Sequence, residues 1–330
     1  MEVLQTPLTR RELLLAAGAP LLLAAVRPAL ALAGGLAPTA LVTADTRSQV
    51  VAVDLLRGRV RGRIATLPGP RSIERAGAGL AVVAHTDEGA LSLIDGPGMR
   101  VARVVRGMAE PRYTAARRDS PLAYVTDSGR GELVTVDVAR GRIVGRLDLG
   151  GPARHVGISP DGRRLWTALG GTAAEIALVD LRDPARPRLL RRIRPPFLAH
   201  DVAVAPGGRR VWVSSGDRGR IAVYDAARAE PVLALDADAP PQHIAFSGAV
   251  ALVTSGDDGS LRVHAQDDGR LLRAASVPSG SYNVTAGWGW AASPSLSVGT
   301  LCVMDAAGRP VGRLRVAPAA HDACLIRPAA

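Results

Sequence analysis

The sequence predicts an all-β fold, a seven-bladed β-propeller, from three observations. The first is an aspartate that closes a short apolar run at a nearly constant interval of 40 to 45 residues, with alanine once in the same slot: Asp54, Asp95, Asp137, Asp180, Asp225, Ala265 and Asp305. The second is that each interval holds strand-like runs separated by Gly, Asp, Ser and Pro turns. The third is that the C-terminal residues resemble the beginning of an interval. A strand-only period near forty residues is typical of propeller blades.

Alignment on the aspartate slot divides the chain into seven units. They cover residues 39–70, 71–111, 112–153, 154–199, 200–242, 243–282 and 283–320. Within a unit, apolar runs such as Leu-Trp-Thr-Ala (165–168) predict second strands packed between two blades, because a strand covered on both faces is apolar throughout. Outer runs such as Arg-Val-Arg-Gly-Arg-Ile (59–64) place arginine on an exposed edge, which opposes pairing with another chain.

The last residues predict how the circle closes. The run His-Asp-Ala-Cys-Leu-Ile (321–326) resembles the unit opening His-Asp-Val-Ala-Val (200–204), and the first unit lacks such an opening. We therefore expect the C-terminal strand to complete the first blade. Pairing the last strand into the first blade removes the open edge that a linear array of blades would leave.

The first 33 residues stand outside the repeat and predict an export signal. The run Thr-Arg-Arg-Glu-Leu-Leu (9–14) leads into an apolar stretch that ends at Val26, and small residues follow at 31–33. This order is typical of a twin-arginine signal peptide. We expect residues 1–33 to be removed and residues 34–330 to form the propeller, without a transmembrane anchor, in the periplasm, the cell envelope or the extracellular space. A retained N-terminal anchor is the alternative.

Composition narrows the classes of partner. The formal net charge is +11, and all 41 basic residues are arginine. Aromatic residues are few, with 4 Trp, 4 Tyr and 2 Phe. Proteins that read single-stranded bases stack them on aromatic side chains, so the composition argues against sequence-specific nucleic-acid binding.

Two segments resemble a known family. The runs Ala-Tyr-Val-Thr-Asp-Ser-Gly-Arg-Gly-Glu-Leu-Val-Thr-Val-Asp (123–137) and His-Asp-Val-Ala-Val-Ala-Pro-Gly-Gly-Arg-Arg-Val-Trp-Val-Ser (200–214) are similar to YVTN-repeat propellers. At the level of blades, this family resembles surface-layer proteins, lactonase-like hydrolases and the propeller of nitrous oxide reductase. The resemblance implies the fold without selecting one of these activities. Four histidines at the mouth positions do not support a seven-histidine copper cluster.

One face of the predicted propeller collects chemically versatile side chains. The residues that lead into the inner strands share this face, which we call the upper face, with the turns between second and third strands. The predicted ligand-binding residues at the channel mouth are Tyr113, Arg154, His155, His200, Asp201, His243, Tyr282, Asn283, His321 and Asp322. We expect a small polar ligand or a protein partner to bind there.

Imidazole and carboxylate groups around one channel also suit a metal ion. Histidine nitrogen binds Zn and Cu well, so His200, His243 and His321 are the predicted ligands of Zn or Cu. A wet channel mouth without any metal is the alternative. No nucleophile elbow, phosphate loop or His-Glu-x-x-His motif points to another catalytic site.

The opposite, lower face is rich in arginine. Arg163, Arg164, Arg209 and Arg210 form the predicted polyanion face, with an acidic envelope polymer as the expected partner. A solvated basic surface is the alternative.

The two cysteines, Cys302 and Cys324, allow either a disulfide or two buried thiols.

These patterns favour an exported binding or scaffolding protein with its ligand site at the channel mouth. The alternative is a lactonase-like or metal-dependent enzyme that uses the histidines and aspartates of the upper face. An enzyme of this kind requires at least two of His155, His200, His243 and His321 within reach of one point, whereas a scaffold requires none.

Overall fold

A computed structural model describes residues 38–77, 79–117, 120–170, 174–237 and 239–327. These residues form seven antiparallel four-stranded sheets, which are the seven blades of a propeller. The predicted signal peptide, residues 1–33, lies outside the described residues. None of the helices found in the described ranges has the length and apolar character needed to cross a membrane.

The strands follow the predicted units closely, and each predicted unit after the first starts within two residues of an inner strand. Blade 1 contains β1 (Thr39–Ala44), β2 (Gln49–Asp54) and β3 (Arg59–Ala65). Blade 2 contains β4 (Pro70–Arg75), β5 (Leu80–His85), β6 (Ala90–Asp95) and β7 (Arg100–Arg106). Blade 3 contains β8 (Pro111–Ala116), β9 (Leu122–Asp127), β10 (Glu132–Asp137) and β11 (Arg142–Asp148). Blade 4 contains β12 (Ala153–Ile158), β13 (Arg164–Leu169), β14 (Glu175–Asp180) and β15 (Arg188–Ile193).

The remaining blades repeat this pattern. Blade 5 contains β16 (Ala199–Val204), β17 (Arg210–Ser215), β18 (Arg220–Asp225) and β19 (Glu230–Asp236). Blade 6 contains β20 (Ile244–Ser247), β21 (Val250–Ser255), β22 (Ser260–Ala265) and β23 (Leu271–Ser276). Blade 7 contains β24 (Thr285–Gly287), β25 (Trp290–Pro294), β26 (Thr300–Asp305) and β27 (Pro310–Arg315). The last strand is β28 (Ala320–Ile326), and a 3-10 turn at Asp45–Arg47 joins β1 to β2.

The C-terminal strand closes the circle, which confirms the prediction. β28 pairs antiparallel with β1, with Thr39 opposite Ile326 and Leu41 opposite Cys324, so blade 1 has the strand order β28-β1-β2-β3. β28 thereby becomes the inner strand of blade 1.

The core lies between blades. In the described residues, seven apolar clusters each join two neighbouring blades. The cluster between blades 7 and 1 contains Trp290, Leu301, Val42 and Val51, so the closing contact is as apolar as the others. Burying one such large side chain contributes about 1.5–3 kcal/mol. The seam at which the circle closes is therefore held by packing as well as by strand pairing.

The aspartates that set the period cap the turns after the third strands. Asp54 accepts the backbone N–H of Arg57 at 2.9 Å, and Asp225 accepts that of Arg228 at 2.9 Å. Aspartate favours such turns because its short side chain reaches the backbone N–H groups that follow it. The sequence interval thus marks one structural position in successive blades.

Both cysteines are free and buried. Cys302 packs between blades 6 and 7, whereas Cys324 packs between blades 1 and 2. Of the two alternatives that the sequence allows, the structure has two buried thiols that act as small apolar side chains.

Candidate functional site

Two consecutive residues lead into the channel on each blade, and together they form two rings at the upper mouth. The first mouth ring consists of Arg71, Arg112, Arg154, His200, Gln242, Tyr282 and His321. The second mouth ring consists of Ser72, Tyr113, His155, Asp201, His243, Asn283 and Asp322. All ten predicted ligand-binding residues belong to these rings.

The second mouth ring lines the central channel. A cavity of about 290 Å³ runs between the inner strands, and all seven residues of the second mouth ring form part of its wall. Below them the wall is made largely of small and apolar residues of the inner strands, including Ala115, Gly157 and Ala203. The polar groups of the channel therefore gather at its upper end.

Irregular pairing at the start of the inner strands accompanies this arrangement. The register between inner and second strands shifts between Pro111 and Thr114 in blade 3 and between Ala153 and Val156 in blade 4. Blade 5 has the same shift between Ala199 and Val202. Such bulges re-aim side chains that regular alternation would place on opposite faces.

Three histidines come together at the mouth. His155, His200 and His243 each offer a ring nitrogen, and these three atoms lie within 4.8 Å of one another. The Nε2 atoms of His155 and His243 are 3.0 Å apart. The ring centroids of His155 and His200 are 4.6 Å apart, with the rings tilted by 35°. His155 belongs to blade 4, His200 to blade 5 and His243 to blade 6, so three successive blades supply the group.

Tyr113 covers this group on the side of blade 3. Its ring centroid lies 3.8 Å from that of His155 and 6.0 Å from that of His243. Burial raises the pKa of the Tyr113 phenol to about 12, so the hydroxyl stays protonated at neutral pH.

The surroundings keep the three imidazoles neutral. Burial, followed by the neighbouring His243 and His200, holds the pKa of His155 well below its ordinary value. Burial also lowers the pKa of His200 to about 4 and that of His243 to about 3. A neutral imidazole offers the lone pair that a metal ion requires.

A glycine allows two of the inner strands to approach. A Cβ atom at Gly157 would lie 2.5 Å from the carbonyl oxygen of Val202 in the next blade. Gly157 therefore permits the close approach of β12 and β16, the strands that carry His155 and His200. Nothing in the sequence marks Gly157 for this role, because glycines also occur in many turns.

The two aspartates of the second mouth ring join neighbouring inner strands. Asp201 accepts the backbone N–H of Ile244 in blade 6 at 2.9 Å, and Asp322 accepts that of Ile73 in blade 2 at 3.0 Å. Burial raises the pKa of both carboxyl groups to about 6 and outweighs the opposing effect of these hydrogen bonds. Asp201 also lies 3.7 Å from Nδ1 of His243.

Three other predicted residues at the mouth, His321, Tyr282 and Asn283, have hydrogen-bond partners within the protein. His321 Nδ1 lies 2.7 Å from Asp45 Oδ2, so this histidine is held at the 3-10 turn and lies outside the group of three. The hydroxyl of Tyr282 donates to Asp257 at 2.6 Å. The Asn283 side chain donates to the carbonyl oxygen of His321 at 3.0 Å. The metal set predicted from sequence thus differs from the observed group by one member, with His155 in place of His321.

The predicted polyanion residues lie on the lower face around a cleft between blades 4 and 5. This cleft has a volume of about 720 Å³, and Arg163 and Arg164 form part of its wall. Arg164 donates to the carbonyl oxygen of Ala226 at 2.6 Å, and Arg210 lies 3.7 Å from Asp225. Arg163 and Arg209 are exposed. Two of the four guanidinium groups are therefore engaged within the protein.

Comparison with known proteins identifies the fold. No family model and no curated protein matches the sequence. Among solved structures, Kuenenia stuttgartiensis hydrazine synthase is similar with a TM-score of 0.71 and 16% identity, over 81% of this chain and 92% of that chain. A functionally unknown protein from Desulfotomaculum acetoxidans has a TM-score of 0.76 and 12% identity, over 88% of this chain and 99% of that chain.

A third similar structure is the dihydro-heme d1 dehydrogenase NirN in complex with DHE. Its TM-score is 0.62 and its identity is 16%, over 85% of this chain and 64% of that chain. At these identities the similarity establishes the β-propeller architecture and carries no statement about activity.

Proposed function

We propose that this chain is an exported YVTN-type propeller that binds a transition metal, Zn or Cu, through His155, His200 and His243, and binds a small polar ligand at that metal. The observation that carries the proposal is the meeting of three imidazole nitrogens within 4.8 Å. Export rests on the twin-arginine pattern at residues 9–14. Periplasm, cell envelope or extracellular space is the proposed location.

The spacing of the nitrogens suits one ion. Two Zn–N bonds of about 2.0–2.1 Å at a tetrahedral angle place their nitrogens about 3.3 Å apart. The separation of 3.0 Å between the Nε2 atoms of His155 and His243 is close to this value. Small rotations about the side-chain torsions of His200 would bring its nitrogen to the same point, since no pair in the group exceeds 4.8 Å.

The environment supports metal binding in two further ways. The depressed pKa values leave all three imidazoles neutral at physiological pH, so no proton has to be displaced. The carboxylate of Asp201, 3.7 Å from His243 Nδ1, stands where an outer partner orients a ligating histidine.

A metal-dependent hydrolase is the second candidate function, and the number of ligands favours it. Three protein ligands leave one tetrahedral position for water, as in catalytic zinc sites, where bound water ionises near neutral pH. Our criterion for an enzyme requires two of four histidines near one point, and three meet it. Hydrolysis of a lactone by the zinc-loaded protein, abolished in His243→Gln, would select this candidate over simple ligand binding.

The metal site is tested by elemental analysis of protein exported through its own signal, followed by titration of Zn and Cu into metal-free protein. His155→Gln and His243→Gln should each lower the affinity by more than the roughly 10- to 100-fold cost of losing an outer partner. His321→Gln is the matched control, because it changes a histidine of the same mouth that lies outside the group. We expect it to bind like the parent.

Two results would reject the site: absence of binding by the parent, or equal binding by the parent and His243→Gln. A loss in His321→Gln equal to that in His243→Gln would favour the ligand set predicted from the sequence. Circular dichroism and thermal melting show whether each variant is folded. The glutamine substitutions keep side-chain volume in the mouth.

A further inference from the structure

The first mouth ring has two chemically different halves. Blades 2, 3 and 4 contribute arginine to it, as Arg71, Arg112 and Arg154, whereas blades 5, 6, 7 and 1 contribute His, Gln, Tyr and His. The arginine half adjoins blades 4, 5 and 6, which supply His155, His200 and His243. Arg154 directly precedes His155, and Arg112 directly precedes Tyr113, whose ring contacts His155.

In the other half of the first mouth ring, three of the four side chains form hydrogen bonds within the protein. Tyr282 and Gln242 both donate to Asp257, at 2.6 Å and 3.2 Å, and His321 is bound to Asp45. These contacts give Gln242, Tyr282 and His321 partners that the protein itself supplies.

The arginine half is not satisfied in this way. Within the described ranges, the guanidinium groups of Arg71 and Arg154 have neither a hydrogen-bond partner nor an ion pair. Arg112 has a carboxylate at 3.6 Å, from the half-exposed Glu110, and its Nε atom is buried with no hydrogen-bond partner. Buried polar groups in native proteins nearly always have a partner, so the buried Nε atom of Arg112 points to a ligand. Arg71 is exposed and Arg154 is half-buried, so both are accessible to the same ligand.

Arg154 is near enough to act on two histidines of the group, and Arg71 is near enough to act on Tyr113, which covers the group. After burial and the neighbouring histidines, the charge of Arg154 contributes to lowering the pKa of His155. The charge of Arg154 acts in the same direction on His200. Arg154 and Arg71 both oppose the rise in the pKa of Tyr113 that burial causes.

A divalent ion at this place would add to the positive charge of Arg71 and Arg154, which have no ion pair within the described ranges. Asp201 and Asp322 carry negative charge at the mouth, but their carboxylates accept backbone N–H groups of neighbouring blades. Like charges that lie close together with little solvent between them repel strongly, so an anion from outside the protein would lower the repulsion between the ion and these two guanidinium groups.

We infer that the ligand of the proposed metal site is a small dianionic oxyanion, which binds the metal through one oxygen and Arg71, Arg112 and Arg154 through the others. The inference rests on the proposed metal site and names the class of ligand that this site takes. Guanidinium groups bind carboxylate and tetrahedral oxyanions through paired N–H donors, which suits both chemistries.

The test measures two affinities in one protein. Calorimetry with malonate and, separately, sulfate is performed on metal-free and on zinc-loaded full-length mature protein, in a buffer without other multivalent anions. Malonate and sulfate distinguish a dicarboxylate from a tetrahedral oxyanion, and uncharged malonamide controls for shape. Zinc affinity is measured with and without malonate.

Two double variants separate the mouth from general surface charge. Arg71→Gln with Arg154→Gln removes two charges at the mouth. Arg59→Gln with Arg188→Gln removes two exposed charges from outer strands of blades 1 and 4 and is the matched control.

In the parent, zinc should tighten malonate or sulfate binding at least about 10-fold, and the anion should tighten zinc binding by the same factor, because coupling between two ligands is reciprocal. The mouth variant should lose this coupling. In anion-free buffer it should nevertheless bind zinc as well as the parent or better, because repulsion has been removed. The outer-strand variant should match the parent.

The possible failures are distinct. Zinc binding without any coupling to malonate or sulfate overturns the oxyanion inference and leaves the metal site in place. Absence of zinc binding overturns the metal site and with it the metal-linked ligand. Equal losses in the two double variants, or binding of malonamide as tight as malonate, also overturn the inference.

Discussion

Aspartate and arginine occur on both faces of the propeller, but they are used differently. On the lower face, the carboxylate of Asp180 accepts hydrogen bonds from two guanidinium nitrogens of Arg182 and from the backbone N–H of Arg182. At the upper mouth, Asp201 and Asp322 bind backbone groups of the next blade, and Arg71 and Arg154 have no acidic partner among the described residues.

The difference lies in where charge is neutralised. Lower-face pairs such as Arg57–Asp54 and Arg140–Asp137 neutralise charge within one turn, three residues apart. Upper-mouth carboxylates instead hold blades together, and Arg71 and Arg154 have no ion pair within the described ranges. A count of charges in the sequence treats the two faces as equivalent, whereas the contacts show that the charges are paired locally on the lower face and less so at the upper mouth.

The largest expected effect comes from crowding the upper mouth. In Gly157→Ala the new Cβ would meet the Val202 carbonyl oxygen at 2.5 Å, which forces β12 and β16 apart. We expect a loss of about 1–3 kcal/mol in the free energy of unfolding, as in other overpacked cores. Zinc affinity should fall as well, because His155 and His200 move with their strands. Chemical denaturation and zinc titration measure the two effects.

The matched control for this substitution is Gly207→Ala on the lower face. No atom lies within 4 Å of a Cβ atom built at Gly207. The stability and the zinc affinity of this variant should equal those of the parent. If Gly157→Ala behaves in the same way, the close approach of the two inner strands does not position the histidines.

A smaller effect is expected in the pH dependence of the free energy of unfolding, which should distinguish the aspartates of the upper mouth from those of the lower face. Burial raises the pKa of Asp322 to about 6 from 3.8, so the folded state is penalised as the pH rises through this interval. Relative to the parent, the free energy of unfolding of Asp322→Asn should therefore increase by about 2 kcal/mol between pH 4 and pH 7.

Asp180→Asn should show the opposite trend. The side-chain hydrogen bond from Arg182, followed by the backbone N–H of Arg182, lowers the pKa of Asp180 below 3.8. The stabilising contribution of Asp180 is present above the ordinary aspartate pKa and disappears as the pH falls through the lowered value. Denaturant titrations of the parent and both variants from pH 3 to pH 7 measure the trends. Parallel curves would show that the two faces do not differ in this respect.

The smallest effect is expected at the lower-face arginines. Elution from heparin should shift to lower salt in Arg163→Gln with Arg209→Gln, because each exposed charge contributes about 0.2–1 kcal/mol and is screened by salt. Adding Arg164→Gln and Arg210→Gln should change the elution less, since these side chains already bind Ala226 and Asp225. A larger shift from the second pair would place polyanion binding in the cleft between blades 4 and 5.

Local patterns in the sequence were enough to predict the blades and their closure. The aspartate interval corresponds to turn caps such as that of Asp54 on Arg57, which recur in successive blades. The resemblance of residues 321–326 to residues 200–204 reflects a real equivalence, because both are inner strands. A sequence pattern that recurs because the same local structure recurs can be recognised from the sequence alone.

The members of the histidine group were harder to predict from the sequence. The sequence placed His155, His200, His243 and His321 on one face, but the distances between them depend on strand pairing, which shifts register just where His155 and His200 occur in blades 4 and 5. Regular alternation does not predict side-chain direction through a bulge. The capture of His321 by Asp45 depends on the closure of blade 1 and has no signature within either segment.

The C-terminal position of β28 constrains how this protein can be made. Blade 1 lacks its inner strand until residues 320–326 have emerged from the ribosome, so a nascent chain exposes β1 as an unpaired apolar edge throughout most of its synthesis. Contacts between distant parts of a chain form slowly, and open strand edges invite aggregation. A chain that stopped before residue 320 would have six complete blades and a first blade whose β1 edge is unpaired.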